Sequence, residues 1–344
     1  MAERVYHIDV AKGISIIMVA LYHNKLKIFA PQLMSAIGLF RLPLFFFLSG
    51  IFFSAREEFG RFLMKKSDAL LKPYFITTLL VSIITLLFVK DNFIWQLKGI
   101  AYGNGDTIMW TPLWFLPHLW MVFMFAYLVF RLTNIQNQNT LIKSLFLLIM
   151  IAIGSSYSDL FWHARINLFG HEQVLPGLPF SSDIILISGS FFLLGSFVRN
   201  RVVNFKPSHY YFILSIVLFI CIAVFTHARI NLNDRIYSSP LLSTLGALTG
   251  IYAVLYASFY ICHVNMVRDI FLVFGKASLF VLIFHSFISD EIYDLLTFLE
   301  GHELKLIFAL ISFIASITIP LLLKRLAASN RLLAAMYFPI VSHR

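Results

Sequence analysis

The sequence predicts an all-α, polytopic membrane bundle of about ten transmembrane helices, and three observations predict it. Of 344 residues, 59% are hydrophobic and only 13% charged. The mean hydropathy of +0.83 is far above that of an average soluble domain. The apolar residues gather into runs close to the ~20 residues that a helix needs to cross the hydrocarbon core. Lys and Arg fall in short clusters between those runs, with a bias to one side.

In chain order the expected spans are 8–29, 35–54, 73–90, 112–131, 141–157, 182–198, 209–227, 240–262, 277–291 and 304–323. The first is apolar except for Asp9, Lys12 and His23, and no small-residue cleavage site follows it, so it is expected to stay in the mature protein. The second contains Arg41 and Pro43 within RLPLFFFLSG. The third follows a basic segment running from Arg56 to Lys72. The fourth opens on LWFLPHLW and is separated from the fifth by the polar turn NIQNQNT. Before the sixth lies the longest external connection, about Ser158 to Ser181, expected to be a loop with Pro176 and Pro179. The seventh and eighth hold Cys221 and Cys262, read as packing residues because no CxxC or Cys/His spacing suggests a disulfide framework or a metal. The ninth carries His285.

With the N-terminus inside, 18 of the 27 Lys and Arg residues lie on the inner side, among them Arg4, Arg61, Lys65, Lys66, Lys72 and Arg344. Eight, including Lys90, lie outside, and Arg41 is within a span. Both termini are therefore expected in the cytoplasm. Topology also accounts for the net charge of +10, since the clusters form no single basic face of the kind that binds nucleic acid. No segment outside the spans is long enough for a separate domain, and residues 1–344 are expected to form one membrane domain.

A helix turns about 100° per residue, so Lys12 and His23 differ by about 20° in direction, and Asp9 lies within about 60° of both. The three polar groups share a stripe roughly 16 Å long between Lys12 and His23. A charge at the centre of a spanning helix costs about 2.5–3.5 kcal/mol, so such groups normally face a protein interior or a water-filled cavity. Two readings stand for Asp9 and Lys12: cavity lining, or an i,i+3 ion pair at the start of the helix with Lys12 snorkelling. His23 lies well beyond the start, and is either functional or a buried structural histidine.

The segments DVAKGISIIMVALYH, RLPLFFFLSGIFF, KKSDALLKPY, LWFLPHLW, LPF (Leu178 to Phe180), INLNDRIYSSPLLSTLGALTGI and FGKASLFVLIFH follow one another along nearly the whole chain. As an ordered set they resemble the membrane acyltransferase family 3, in its fucose 4-O-acetylase-like branch. The resemblance implies a bacterial inner-membrane enzyme that moves an acyl group, usually acetyl from acetyl-CoA, onto hydroxyls of envelope glycans. Lys12 and His23 meet the family's basic-x10-histidine pattern, with lysine where many members have arginine, hence a point charge in place of a bidentate fork. His285 resembles the family's late-helix histidine.

Acyl transfer from a thioester to a sugar hydroxyl needs a base, and a neutral imidazole with its ordinary pKa of about 6.5 suits that task. His23 is the expected base, with Asp9, Lys12 and His285 completing the catalytic set and the stripe lining the path of the pantetheine arm. Lys12, Arg61, Lys65, Lys66 and Lys72 are expected partners of the CoA phosphates, although a basic inner loop is also what topology alone demands. On the acceptor side, Arg41 either neutralises an oxyanion or anchors at the outer interface. Trp114, Phe115 and His118 form either a sugar-stacking platform or an interfacial aromatic belt. The outer-loop residues Asp159, His163, Arg165, His171, Glu172, Asn231, Asp234 and Arg235 either bind acceptor hydroxyls or are merely solvated. The expected partners are acetyl-CoA as co-substrate, an envelope glycan or lipid-linked saccharide, and membrane lipid, with neither metal nor nucleic acid. The competing class is a secondary transporter using the buried Asp, Lys and His residues, weakened by the lack of two similar halves.

Overall fold

A computed structural model describes residues 5–89, 93–168, 171–300 and 304–340, apart from the side chains at 89, 168, 171 and 300. Arg4, Lys90 and Arg344 of the charge count, and the side chain of His171, lie outside the described residues. The helices are α1 (Tyr6–His23), α2 (Pro31–Gly50), α3 (Phe59–Lys66), α4 (Lys72–Val89), α5 (Phe93–Tyr102), α6 (Phe115–Leu132), α7 (Thr140–Tyr157), α8 (Ile185–Phe197), α9 (Arg199–Val203), α10 (His209–Phe225), α11 (Pro240–Ile261), α12 (Asn265–Lys276), α13 (Ser278–Glu300), α14 (Lys305–Ser329) and α15 (Arg331–Tyr337). A π-helical turn, Ser67–Leu71, joins α3 to α4.

The protein is an all-α membrane bundle. Among the described residues seven helical segments are long and apolar enough to cross a membrane: Pro31–Gly50, Phe59–Phe88, Thr111–Leu132, Thr140–Tyr157, Pro179–Phe197, Pro240–Ile261 and Lys305–Ser329. Counting α12 and α13, bent by 81°, as one span gives eight. The two remaining expected runs are also helical: α1, whose Asp9, Lys12 and histidines lower its apolarity, and α10, which has 17 residues. Thr140–Tyr157 is 17% buried and Pro31–Gly50 72%, so the first faces outward, toward lipid, and the second is interior. Cys221 sits on an exposed face of α10, not in the packing role expected of it.

The connection from Ser158 to Ser181 is not an irregular loop. It contains an antiparallel hairpin of β1 (Trp162–Leu168) and β2 (His171–Pro176), in which Ile166 faces Gln173 and Arg165 faces Val174. β-favouring residues in WHARINL and EQVL support it against the prolines that follow.

The chain forms two compact units. The first comprises Met1–Ile51, Val198–Asn231 and Tyr237–Leu326. Within it α1 is central, packed by α2, α11, α12 and α13, with Ile8, Val10, Ala11, Ile16, Val19 and Ala20 buried. Helices α1 and α12 meet backbone to backbone, because a Cβ at Gly13 would overlap the Phe271 carbonyl and one at Gly275 would crowd the Asp9 carbonyl. Small residues permit this approach between membrane helices.

The second unit comprises Phe52–Phe197, Leu232–Ile236 and Ala327–Arg344. Its core is aromatic: Phe123 meets Phe192 edge-on with centroids 4.9 Å apart, and Phe62 stacks on Tyr127. Arg235, expected either to bind acceptor hydroxyls or to be solvated, is instead buried in a two-point ion pair, its Nε and Nη2 donating to Asp183 at 2.7 and 3.0 Å. Such a fork-to-carboxylate pairing offsets the cost of desolvating a guanidinium.

Candidate active site

Helix α1 ends at His23, and the next residue fixes where that end lies. Asn24 is fully buried. Its Nδ2 donates to Ser289 Oγ at 2.7 Å and Ser312 Oγ at 3.0 Å, while its Oδ1 accepts from the Leu26 backbone N–H at 2.9 Å. One side chain thus ties α1 to α13 and α14 and caps the turn after α1. Ser289 lies four residues beyond His285, on the same face of α13. The clamp therefore presents His285 to His23, with ring centroids 5.3 Å apart and planes at 63°.

Arg41 comes from α2 and is 3% exposed. Its guanidinium lies 3.6 Å from the Tyr22 ring centroid, a cation–π contact, and its Nη1 donates to His23 Nε2 at 3.2 Å. A guanidinium only donates, so Nε2 of His23 is the accepting nitrogen and the neutral ring carries its hydrogen on Nδ1. His285 is fully buried. Its Nδ1 lies 2.8 Å from the Val281 carbonyl and 3.0 Å from that of Leu282. Carbonyls only accept, so Nδ1 carries the hydrogen and Nε2 the lone pair. That Nε2 has no hydrogen-bond partner among the described residues.

The structure thus brings together His23, His285 and Arg41, which the sequence offered separately. It also corrects the expected anchoring of Arg41 at the outer interface, since this side chain is buried against Tyr22 and His23. Asp9 and Lys12 form an i,i+3 ion pair at 3.5 Å, with Lys12 about 16 Å and Asp9 about 21 Å along α1 from His23. Among the other basic candidates, Arg61 is exposed and Lys65 pairs with Glu57. Lys66 sits 3.7 Å from the Phe123 ring centroid. Lys72 pairs with Asp68 at 2.6 Å and donates to the Phe338 carbonyl at 2.7 Å. Trp114, Phe115 and His118 are 5%, 3% and 0% exposed. That burial removes both expected roles, because a belt or a sugar platform needs an open ring face.

Tyr22, Asn24, Ser289 and Ser312 went unrecognised in the sequence. The available signal was polar spacing in apolar helices: Asn24 adjoins His23, and Ser289 stands one turn after His285. Among the described residues no group of three or more His, Cys, Asp or Glu is placed to hold a metal ion.

Two imidazoles and a guanidinium converging from three helices are suited to taking a proton from a hydroxyl and steadying a negative oxygen. A family model described as an acyltransferase domain, of the family-3 type, matches residues 5–325. The chain belongs to acyltransferase family 3. No curated protein and no solved structure matches the acyltransferase. The match takes in residues of both units of this membrane acyltransferase. Nothing in its family or fold supports the transporter alternative.

Proposed function

We propose that this acyltransferase is an acetyl-CoA-dependent O-acetyltransferase of the bacterial inner membrane, of the fucose 4-O-acetylase-like branch. It acetylates a hydroxyl of an envelope glycan or lipid-linked saccharide, with His23 as the base. The supporting observation is the contact between Arg41 and His23 Nε2, which keeps a neutral imidazole beside a buried cation. In the reaction Arg41 turns from Nε2, and Nε2 takes the proton of the acceptor hydroxyl as its oxygen attacks the thioester carbonyl. The negative charge that develops on the carbonyl oxygen is met by the released guanidinium. The carbon–sulfur bond then breaks, and the CoA thiolate recovers the proton from His23.

Lys12 and the basic residues Arg61, Lys65, Lys66 and Lys72 are the proposed partners of the CoA phosphates. The excess of Lys and Arg on one side of the spans supports a cytoplasmic placement of both termini and of this donor machinery. The test is purified protein in proteoliposomes supplied with labelled acetyl-CoA and a saccharide acceptor. Alkali-labile label on the saccharide is expected. Solute uptake without any acetylated product would overturn the proposal in favour of transport.

A further inference from the structure

We infer that His285 is the positioning partner of His23, its Nε2 accepting the Nδ1–H of His23 while that ring takes up the hydroxyl proton. The inference rests on the proposed acyl transfer at His23. Three observations lead to it. His285 is fully buried and its Nδ1–H is committed to the carbonyls of Val281 and Leu282, so the ring presents only a lone pair at Nε2. That lone pair has no partner among the described residues, a state that buried polar atoms rarely keep. His23, with Nε2 turned to Arg41, carries its own hydrogen on Nδ1.

The spacing fits the bond. Ring nitrogens lie about 1.1 Å from an imidazole centroid, so two rings joined by an N–H···N bond of about 3 Å stand about 5.2 Å apart. The observed separation is 5.3 Å. Rotation of the His23 ring makes the contact, while His285 stays on its two carbonyls. The Asn24 bonds to Ser289 and Ser312 hold α1 and α13 at that distance.

When Nε2 of His23 gains a proton, the ring becomes an imidazolium with two N–H groups. One faces the substrate and the other is held by His285. No proton passes to His285, which supplies orientation, as the carboxylate does for the histidine of a serine-protease triad.

The test uses His285→Gln and His285→Leu in the full-length protein, assayed in proteoliposomes with acetyl-CoA and the saccharide acceptor. Gln keeps an acceptor near the position of Nε2, whereas Leu keeps the bulk alone. Leu is expected to lower kcat about 10- to 100-fold with the acetyl-CoA KM within about twofold of wild type, and Gln to recover most of that loss. Equal kcat for Gln and Leu, or a KM effect alone, overturns the inference. Should the Leu variant not fold, His285→Asn gives the same contrast, since its amide keeps a donor for the two carbonyls and is too short to set an acceptor at the position of Nε2. It must then behave as expected for Leu, and wild-type turnover in Asn overturns the inference. A wild-type protein that acetylates nothing overturns the proposed function itself. A wild type that acetylates while the variants match it overturns only the role of His285.

Discussion

His118 on α6 and His285 on α13 are both fully buried, and both commit Nδ1 to backbone carbonyls, that of Phe180 at 3.1 Å in one case and of Val281 at 2.8 Å in the other. They part at the second nitrogen. His118 Nε2 meets Ser188 Oγ at 2.9 Å, whereas His285 Nε2 has no partner among the described residues. Burial therefore does not tell these two histidines apart, and closure of both ring nitrogens does. His118 is a cross-link. It holds the carbonyl of Phe180, and Phe180 and Ser181 both have φ of 53°, a left-handed backbone that non-glycine residues adopt only when their surroundings impose it.

The contrast can be broken or sharpened by substitution. The largest effect is expected from His23→Ala, which should lower acetyl transfer about 10²- to 10⁴-fold per inserted molecule, the share that a general base supplies. Near-normal product from a well-inserted variant would remove His23 from the chemistry. Arg41→Gln should cost about 10²- to 10³-fold in kcat, with a smaller change in KM, because the guanidinium is assigned to charge that exists only in the transition state. A pure KM defect in steady-state assays would make Arg41 a ground-state binder.

His118→Phe should leave turnover per folded molecule unchanged while destabilising the protein by about 1–3 kcal/mol, seen as a lower Tm in detergent, because it removes the donor to the Phe180 carbonyl, while the Ser188 hydroxyl keeps its bond to the Ile184 carbonyl. A turnover loss like that of His285→Leu would erase the distinction between the two histidines. Replacing Arg61, Lys65 and Lys66 together by Gln should raise the acetyl-CoA requirement by about tenfold, or about 1.4 kcal/mol of donor binding, and leave the acceptor KM alone. The smallest effect is expected at Lys12, where Arg should retain more activity than Ala. Equal rates for both variants and wild type would leave Lys12 only its ion pair with Asp9.

Much of the fold was legible because helix length and apolarity are local properties, and each of the ten apolar runs contains helix. The hairpin at 162–176 was hidden by polar residues and prolines that suit a loop equally well. The site was legible in pieces. His23 and His285 each stood out as a polar residue in an apolar run, but 262 positions separate them, and the bond from Arg41 to His23 is a tertiary event that spacing does not encode. Trp114, Phe115 and His118 were misjudged because aromatic residues near a helix end read the same whether they face an interface or a core. Arg235 was misjudged likewise, since its partner Asp183 lies 52 positions away.

The glycine contact between α1 and α12 has a consequence for the two imidazoles. Helix α1 is pinned at Gly13 by the α12 backbone and at Asn24 by the bonds to α13 and α14. A rod fastened at two points can neither slide along its length nor roll about it. Since α12 turns through 81° directly into α13, the fastening at Gly13 also sets the near end of the helix that carries His285. The gap between the rings is gauged from both sides, much as a vice is trued by its two guide bars. An alanine at Gly13, about 15 Å from His23 along α1, would be felt there as a tilt between the imidazoles.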